Sequence, residues 1–212
     1  MDTVSNYTET LEKTVRDLLD RQDDLIRTAF TDQLTGLGNR GGFARSLEEL
    51  WEQDTPVTMA YIDIDNLKHC NDVFGHDEGN RYILQVSLYL KLYMKVDEAA
   101  FRIGGDEFAI LSTIATEGDL AERLEHCRTV LLKNNDSEMP RSFSYGVSYA
   151  DPALGEAPNR MTLDADHRMY DYKLRHAMHL DRRNITQVYA DDFEIRDRIF
   201  DAFSTLNEGR YF

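Results

Sequence analysis

Four carboxylates fall in two short clusters, Asp63 and Asp65 within YIDID, and Asp106 and Glu107 directly after the pair Gly104-Gly105. The first cluster closes VTMAYIDI (57–64), a nearly continuous apolar run of the kind that forms a buried strand. The second lies between AAFRI (99–103) and EFAILS (107–112), two β-rich runs around a glycine pair that read as a hairpin. If strand and hairpin are sheet neighbours, three or four carboxylates converge at one solvent-facing edge. Such crowding repels unless the acids are protonated or neutralised by a cation. Hard oxygen donors at this density suit Mg²⁺ (or Mn²⁺), which keeps waters and takes phosphates as further ligands. A site of this type deprotonates a hydroxyl and polarises a phosphate. The alternative is that these acids cap turns and face water, and the residues alone leave both readings open.

The surrounding pattern supplies the elements. Val4, Leu11, Leu18 and Leu25 recur every seven residues, with Thr8, Val15, Gln22 and Ala29 at the complementary position. This predicts a helix over the first thirty residues with a narrow seam, as in a parallel coiled coil; the alternative is a helix folded back on its own domain. Gly36 and Gly38 break the pattern before a short helix over 41–50, and Asn66 to Asn71 read as a helical turn. Gly75 and Gly79 flank a loop, after which Ile83, Val86, Leu90 and Met94 mark one face of a long helix. Residues 117–133 predict a helix with Leu120, Leu124, Cys127 and Leu131 inward, 141–150 a strand, and 161–180 a further helix. Helices alternating with strands around a central antiparallel hairpin indicate an α/β fold of the α+β sandwich type.

Composition narrows the function classes. The 212 residues suit one domain plus extensions, and 24 Lys and Arg against 39 Asp and Glu leave a net charge of −15. That excess argues against nucleic-acid binding, which needs basic faces. No apolar run reaches the roughly 18–20 residues of a membrane span, and no secretory segment follows Met1. Cys70 and Cys127 are too few for a disulfide framework or a zinc site, and read as reduced thiols in a cytoplasmic protein.

DQLTGLGNR (32–40), DIDNLKHCNDVFGHDEGN (63–80) and RIGGDEF (102–108) resemble the three signature blocks of the GGDEF-domain diguanylate cyclases, and ADHRMYDYK (165–173) a fourth. The similarity covers roughly residues 31–190, in the family's order and spacing. It implies a palm-like sheet with flanking helices, and condensation of two GTP into cyclic di-GMP with release of pyrophosphate. Each domain would hold one GTP, so the active species would be a homodimer with facing sites.

Carried over from the resemblance, Asp63 and Asp106 would ligate the metal, with Ile64 supplying its backbone carbonyl. Asp106 would accept the proton of the 3′-hydroxyl and Glu107 would assist. Gly104 and Gly105 would let the backbone approach the nucleotide. Asn66 and Leu67 lie where amides cradle phosphates, Lys68 matches the catalytic lysine that stabilises charge in the transition state, and Lys173 matches the lysine that reaches the phosphates from the last helix. Asn71 and His76 match nucleotide contacts.

Departures qualify the resemblance. Asn80 stands where the family has an aspartate that reads the guanine edge, which would relax guanine preference and admit ATP. The KxxGRN motif is not intact after Lys173: its arginine is lost at Ala177, or a longer helix moves it to Arg183-Asn184 with a closing strand at 185–190. Lys95 and Glu98 fall at the family's inhibitory RxxD and keep the charge signs without arginine's bidentate fork. The tail 191–212 resembles the start of a connection to an EAL phosphodiesterase domain, the alternative being a helix native to this domain. The competing reading of function is a catalytically weak GTP-binding domain that regulates a neighbour.

Overall fold

The computed structural model describes residues 11–19, 21, 28–134 and 139–179, with side chains placed as far as His176. Within them, the strands Gly38–Asn39 (β1), Val57–Ile64 (β2), Glu98–Arg102 (β3), Glu107–Ser112 (β4) and Phe143–Ala150 (β5) form one sheet of order β1-β3-β4-β2-β5. The β1–β3 pair is parallel; β3–β4, β4–β2 and β2–β5 are antiparallel. Helices span Arg40–Glu52 (α1), Leu67–Phe74 (α2), His76–Tyr93 (α3), Glu117–Lys133 (α4) and Pro158–His179 (α5).

The period of two in β2 separates two cores. Ala60, Ile62 and Ile64 pack with Val86 and Leu90 of α3 and Leu120, Leu124 and Leu131 of α4. Val57 and Met59 face the other way, toward Leu47 of α1 and Met161 of α5. Helices on both faces explain why β2 reads as an unbroken apolar run. The result is the α+β sandwich the pattern predicts, with α4 held at its start by a Thr116–Asp119 capping box.

The expected loop at Gly75–Gly79 is instead the start of α3. Gly75 alone breaks the chain, at φ 86°, and Asp77 and Glu78 in the first turn complement the helix dipole. Gly79 is an interior helical glycine because the Asn71 carboxamide closes on it: a Cβ there would lie 1.8 Å from Asn71 Oδ1. The two-residue β1 lies within the glycine-broken stretch, where no side-chain pattern marks a strand, and α5 starts at Pro158, a favoured first helical residue.

Residues 11–19 are helical, with Leu11, Val15 and Leu18 exposed. Val4, Thr8, Gln22 and Leu25 of the heptad seam lie outside the described residues, as do Arg183, Asn184, the 185–190 strand and the 191–212 tail.

Glu98 does not present its carboxylate to solvent. Its side chain is fully buried: Oε2 accepts from Arg123 Nη1 and the Lys95 amide, both at 2.8 Å, and Oε1 accepts from Ser112 Oγ at 3.0 Å and from Arg123 Nη2. Burial alone would raise the carboxyl, but these donors outweigh it and hold it below its ordinary value. Glu98 is therefore a strut between β3 and α4 rather than a surface partner of Lys95. Removing one member of a buried ion pair strands the other. Arg123→Ala should cost about 3–5 kcal/mol, read as a lower denaturation midpoint at unchanged slope. A loss below about 1 kcal/mol would mean that water replaces the guanidinium.

Candidate functional site

Antiparallel pairing sets Asp63 directly opposite Glu107, and the Ile64 amide donates to the Asp106 carbonyl at 2.9 Å. The hairpin tip is thus tied to the end of β2, which sets Asp63 beside Glu107 and within reach of the Asp106 charge. Asp63 and Glu107 share the face of β2 and β4 that carries Met59 and Ala109, the side covered by α1 and α5.

Asp63 is more enclosed than the sequence suggests: its side chain is 15 % exposed, and Lys173 Nζ of α5 bonds its Oδ1 at 2.6 Å. Burial, together with the charges of Asp106 and Asp65, outweighs the lysine and raises the carboxyl to about 7. Lys173 gets there because α5 lies directly on β5. At Gly146 a Cβ would stand 2.1 Å from the Ala165 carbonyl oxygen and 2.2 Å from the Met169 nitrogen. Lys173 follows Met169 by one helical turn.

The hairpin closes with Ile103 N–H donating to the Glu107 carbonyl at 2.9 Å, leaving Gly104 to Asp106 as its tip. A Cβ on Gly104 would stand 2.2 Å from Glu107 Oε2, whereas Gly105 faces open space. Gly104 thus makes room first for the domain's own glutamate. Tyr61 donates its hydroxyl to Glu107 Oε1 at 2.9 Å, and burial followed by the Glu107 charge raises the phenol above its ordinary value. Arg102 spans the tip, donating to the Gly105 carbonyl at 2.7 Å and to both oxygens of Asp32 at 3.3 Å.

Asp65 leaves the cluster: it is buried and accepts from Ser144 Oγ at 2.7 Å. Asn66 then reverses the chain in the left-handed region, φ 58° and ψ 25°, which asparagine tolerates. Its side chain makes no capping bond to α2. Leu67 is buried and anchors the helix, while Lys68 lies exposed on the first turn of α2. Asn71 is half-buried against Gly79; His76 and Asn80 are both exposed on α3 and, four residues apart, share one side of it.

Among the described residues, no group of three His, Cys, Asp or Glu is gathered into a metal cage. Asp63 and Asp106, close enough for the charge of one to act on the other, would provide two carboxylates instead, with the backbone carbonyl of the adjoining Ile64. That donor set fits Mg²⁺, which binds through one or two carboxylates and completes its shell with water and phosphate.

Tyr61, Asp32, Arg102 and Gly146 were not singled out by sequence. Asp32 and Arg102 lie inside signature blocks, but their pairing spans seventy residues and has no local signal. Tyr61 reads as one more strand residue, and Gly146 as a flaw in one.

The family model described as "Diguanylate cyclase, GGDEF domain" matches residues 29–179. The chain is 33 % identical over 156 residues to the uncharacterized protein YhcK of Bacillus subtilis, covering 68 % of this chain and 43 % of that protein. It is 31 % identical over 171 residues to the diguanylate cyclase DgcP of Escherichia coli, covering 76 % and 50 %. The chain thus spans about half the length of these relatives or less. A crystal structure of the coiled coil and GGDEF domain of DgcB from Caulobacter crescentus, in complex with c-di-GMP, superposes with a TM-score of 0.71 at 26 % identity, covering 81 % of this chain and 95 % of that one. With the family model matching residues 29–179 and a relative such as DgcP, the chain belongs to the GGDEF diguanylate cyclase family.

Proposed function

We propose that the chain is a Mg²⁺-dependent nucleotidyl cyclase that condenses two GTP into cyclic di-GMP with release of pyrophosphate. The observation that carries this reading is the meeting of Asp63 with the Gly104–Glu107 tip, beneath a lysine from α5. Asp63 and Asp106, with the Ile64 carbonyl, would hold the metal, which supplies charge neutralisation at the phosphates and acidifies a nearby hydroxyl. Asp106 accepts the 3′-hydroxyl proton as that oxygen attacks the α-phosphate of the second GTP and pyrophosphate leaves; the reciprocal attack in the facing site closes the ring and releases the second pyrophosphate. Glu107 assists. Amides of Asn66 and Leu67 at the start of α2, with Lys68 and Lys173, balance the phosphate charge. Asn71, His76 and Asn80 line the approach of the nucleoside, and Gly104 and Gly105 keep side chains out of its way. One GTP per domain requires a homodimer, for which the exposed Leu11, Val15 and Leu18 supply a coiled-coil seam. In this reading the domain works in the cytoplasm, and 191–212 leads toward an EAL partner.

A second reading, a GTP-sensing domain with little catalysis, is favoured by Asn80 and by the unbroken helix through Leu174–Met178, where the family's glycine is absent. Incubating the protein with Mg²⁺ and each nucleoside triphosphate, then identifying products by mass spectrometry, separates the two. Cyclic dinucleotide supports the cyclase; GTP binding without product supports the sensor.

Asn80 makes base choice testable. Guanine presents two adjacent donors, N1–H and the N2 amino group, whereas an asparagine offers one acceptor and one donor. A missing charge-assisted bond is worth about 1.5–3 kcal/mol, or roughly 10–150-fold in affinity. Asn80→Asp should raise the GTP-over-ATP binding ratio within that range. An unchanged ratio would show that this side chain does not read the base.

A further inference from the structure

We propose that Tyr61 is a positioning residue of the site, a phenol built into the sheet to fix the Glu107 carboxylate. The proposal rests on the cyclase reading for what that carboxylate does. Tyr61 precedes Asp63 by two residues on β2, so both side chains leave the same face of the sheet. Its register partners are Ala109 on β4 and Gly146 on β5, the two smallest residue types, on either side of a large ring. The side chain packs against the core cluster that includes Met59, Leu111 and Phe101. Its hydroxyl reaches Glu107 Oε1 at 2.9 Å, the phenol donating and the carboxylate oxygen accepting.

The other oxygen is placed as well. Glu107 Oε2 lies over Gly104, where any Cβ would stand 2.2 Å away. The carboxylate is thus bracketed by a donor from β2 on one side and the bare backbone of the tip on the other. A carboxylate carries about four lone-pair sites, so accepting one phenolic hydrogen bond leaves it able to take a cation or a water. Asp63 is held by Lys173 and Glu107 by Tyr61: each acid of the facing pair has its own support. The lysine belongs to a signature block of the family, whereas the tyrosine lies outside the four blocks. Supports of this kind, behind the groups that face a metal, are typically worth 10–100-fold in metal affinity or activity.

The test is Mn²⁺ uptake in the presence of GTP, read from the loss of the free-ion electron paramagnetic resonance signal. Tyr61→Phe keeps the ring and removes only the hydroxyl. Its uptake should weaken by about tenfold or more, within the range for such supports, at a melting temperature close to wild type. Glu107→Gln should weaken uptake similarly, and the double variant no further than the worse single one, because both act through one contact. Wild-type uptake matched by Tyr61→Phe, or additive losses in the double variant, would overturn the assignment of Tyr61 and leave the cyclase reading standing. A wild-type protein that takes up no Mn²⁺ with GTP would overturn both.

Discussion

Asp63→Asn is expected to abolish product formation while making the metal-free protein more stable at neutral pH. Catalysis loses an anionic metal ligand, and charge stabilisation by a bound divalent ion is worth several kcal/mol, so the rate should fall by about 10³-fold or more. Stability moves the other way. Burial and the neighbouring Asp106 and Asp65 raise the Asp63 carboxyl to about 7 despite Lys173. A carboxyl raised on folding contributes its full stability below its unfolded value, near 3.8, and loses it as the pH rises through the folded value. A neutral asparagine has no such loss. The advantage of Asp63→Asn should therefore be absent near pH 4, grow up to about pH 7 and level off above it. Thermal melts across that range without metal, beside a product assay with Mg²⁺, check both halves. A variant that melts lower at pH 8 would mean that the stranded Lys173 outweighs the relief. Undiminished cyclase activity would remove Asp63 from the metal site.

Gly146→Ala is expected to be the most damaging single-methyl change in the domain. The added carbon would stand 2.1 Å from the Ala165 carbonyl oxygen, 2.2 Å from the Met169 nitrogen and 2.7 Å from the Arg168 carbonyl carbon. These are backbone atoms of α5 and cannot rotate away, so the helix must lift from β5. Overpacking of this kind costs typically 1–3 kcal/mol, and contact with a rigid backbone argues for about 3 kcal/mol. For a chain of this size that corresponds to a melting temperature lower by about 6–12 °C. Activity should fall further than stability explains, because Lys173 rides on the same helix and its 2.6 Å bond to Asp63 does not survive a shift of an ångström. The check is activity at a temperature where the variant is fully folded. Wild-type activity there, with a lowered melting point, would show that Lys173 follows Asp63 through side-chain rotation alone.

What the sequence by itself determined is local. The apolar run 57–64 specifies a strand buried on both faces, and 117–133 a helix with Leu120, Leu124, Cys127 and Leu131 inward, because side-chain period and burial are encoded in neighbouring residues. Glycine between two β-rich runs specifies the hairpin, and the acids flanking these elements were legible as a cluster for the same reason. The sequence suggests a loop from Gly75 to Gly79 where the helix begins at His76, since a glycine that makes room for a distant side chain looks the same in sequence as one that breaks a helix. Only the tertiary structure decided which acids remain in the site. It turns Asp65 away to Ser144, buries Glu98 against Arg123, and brings Lys173 onto Asp63 and Tyr61 onto Glu107. Each of these pairings joins residues far apart in the chain: strand order and register set those of Asp65 and Tyr61, the docking of α4 sets that of Glu98, and the close approach of α5 at Gly146 sets that of Lys173. Register and helix docking are satisfied by the whole core at once, so no short stretch of sequence carries them.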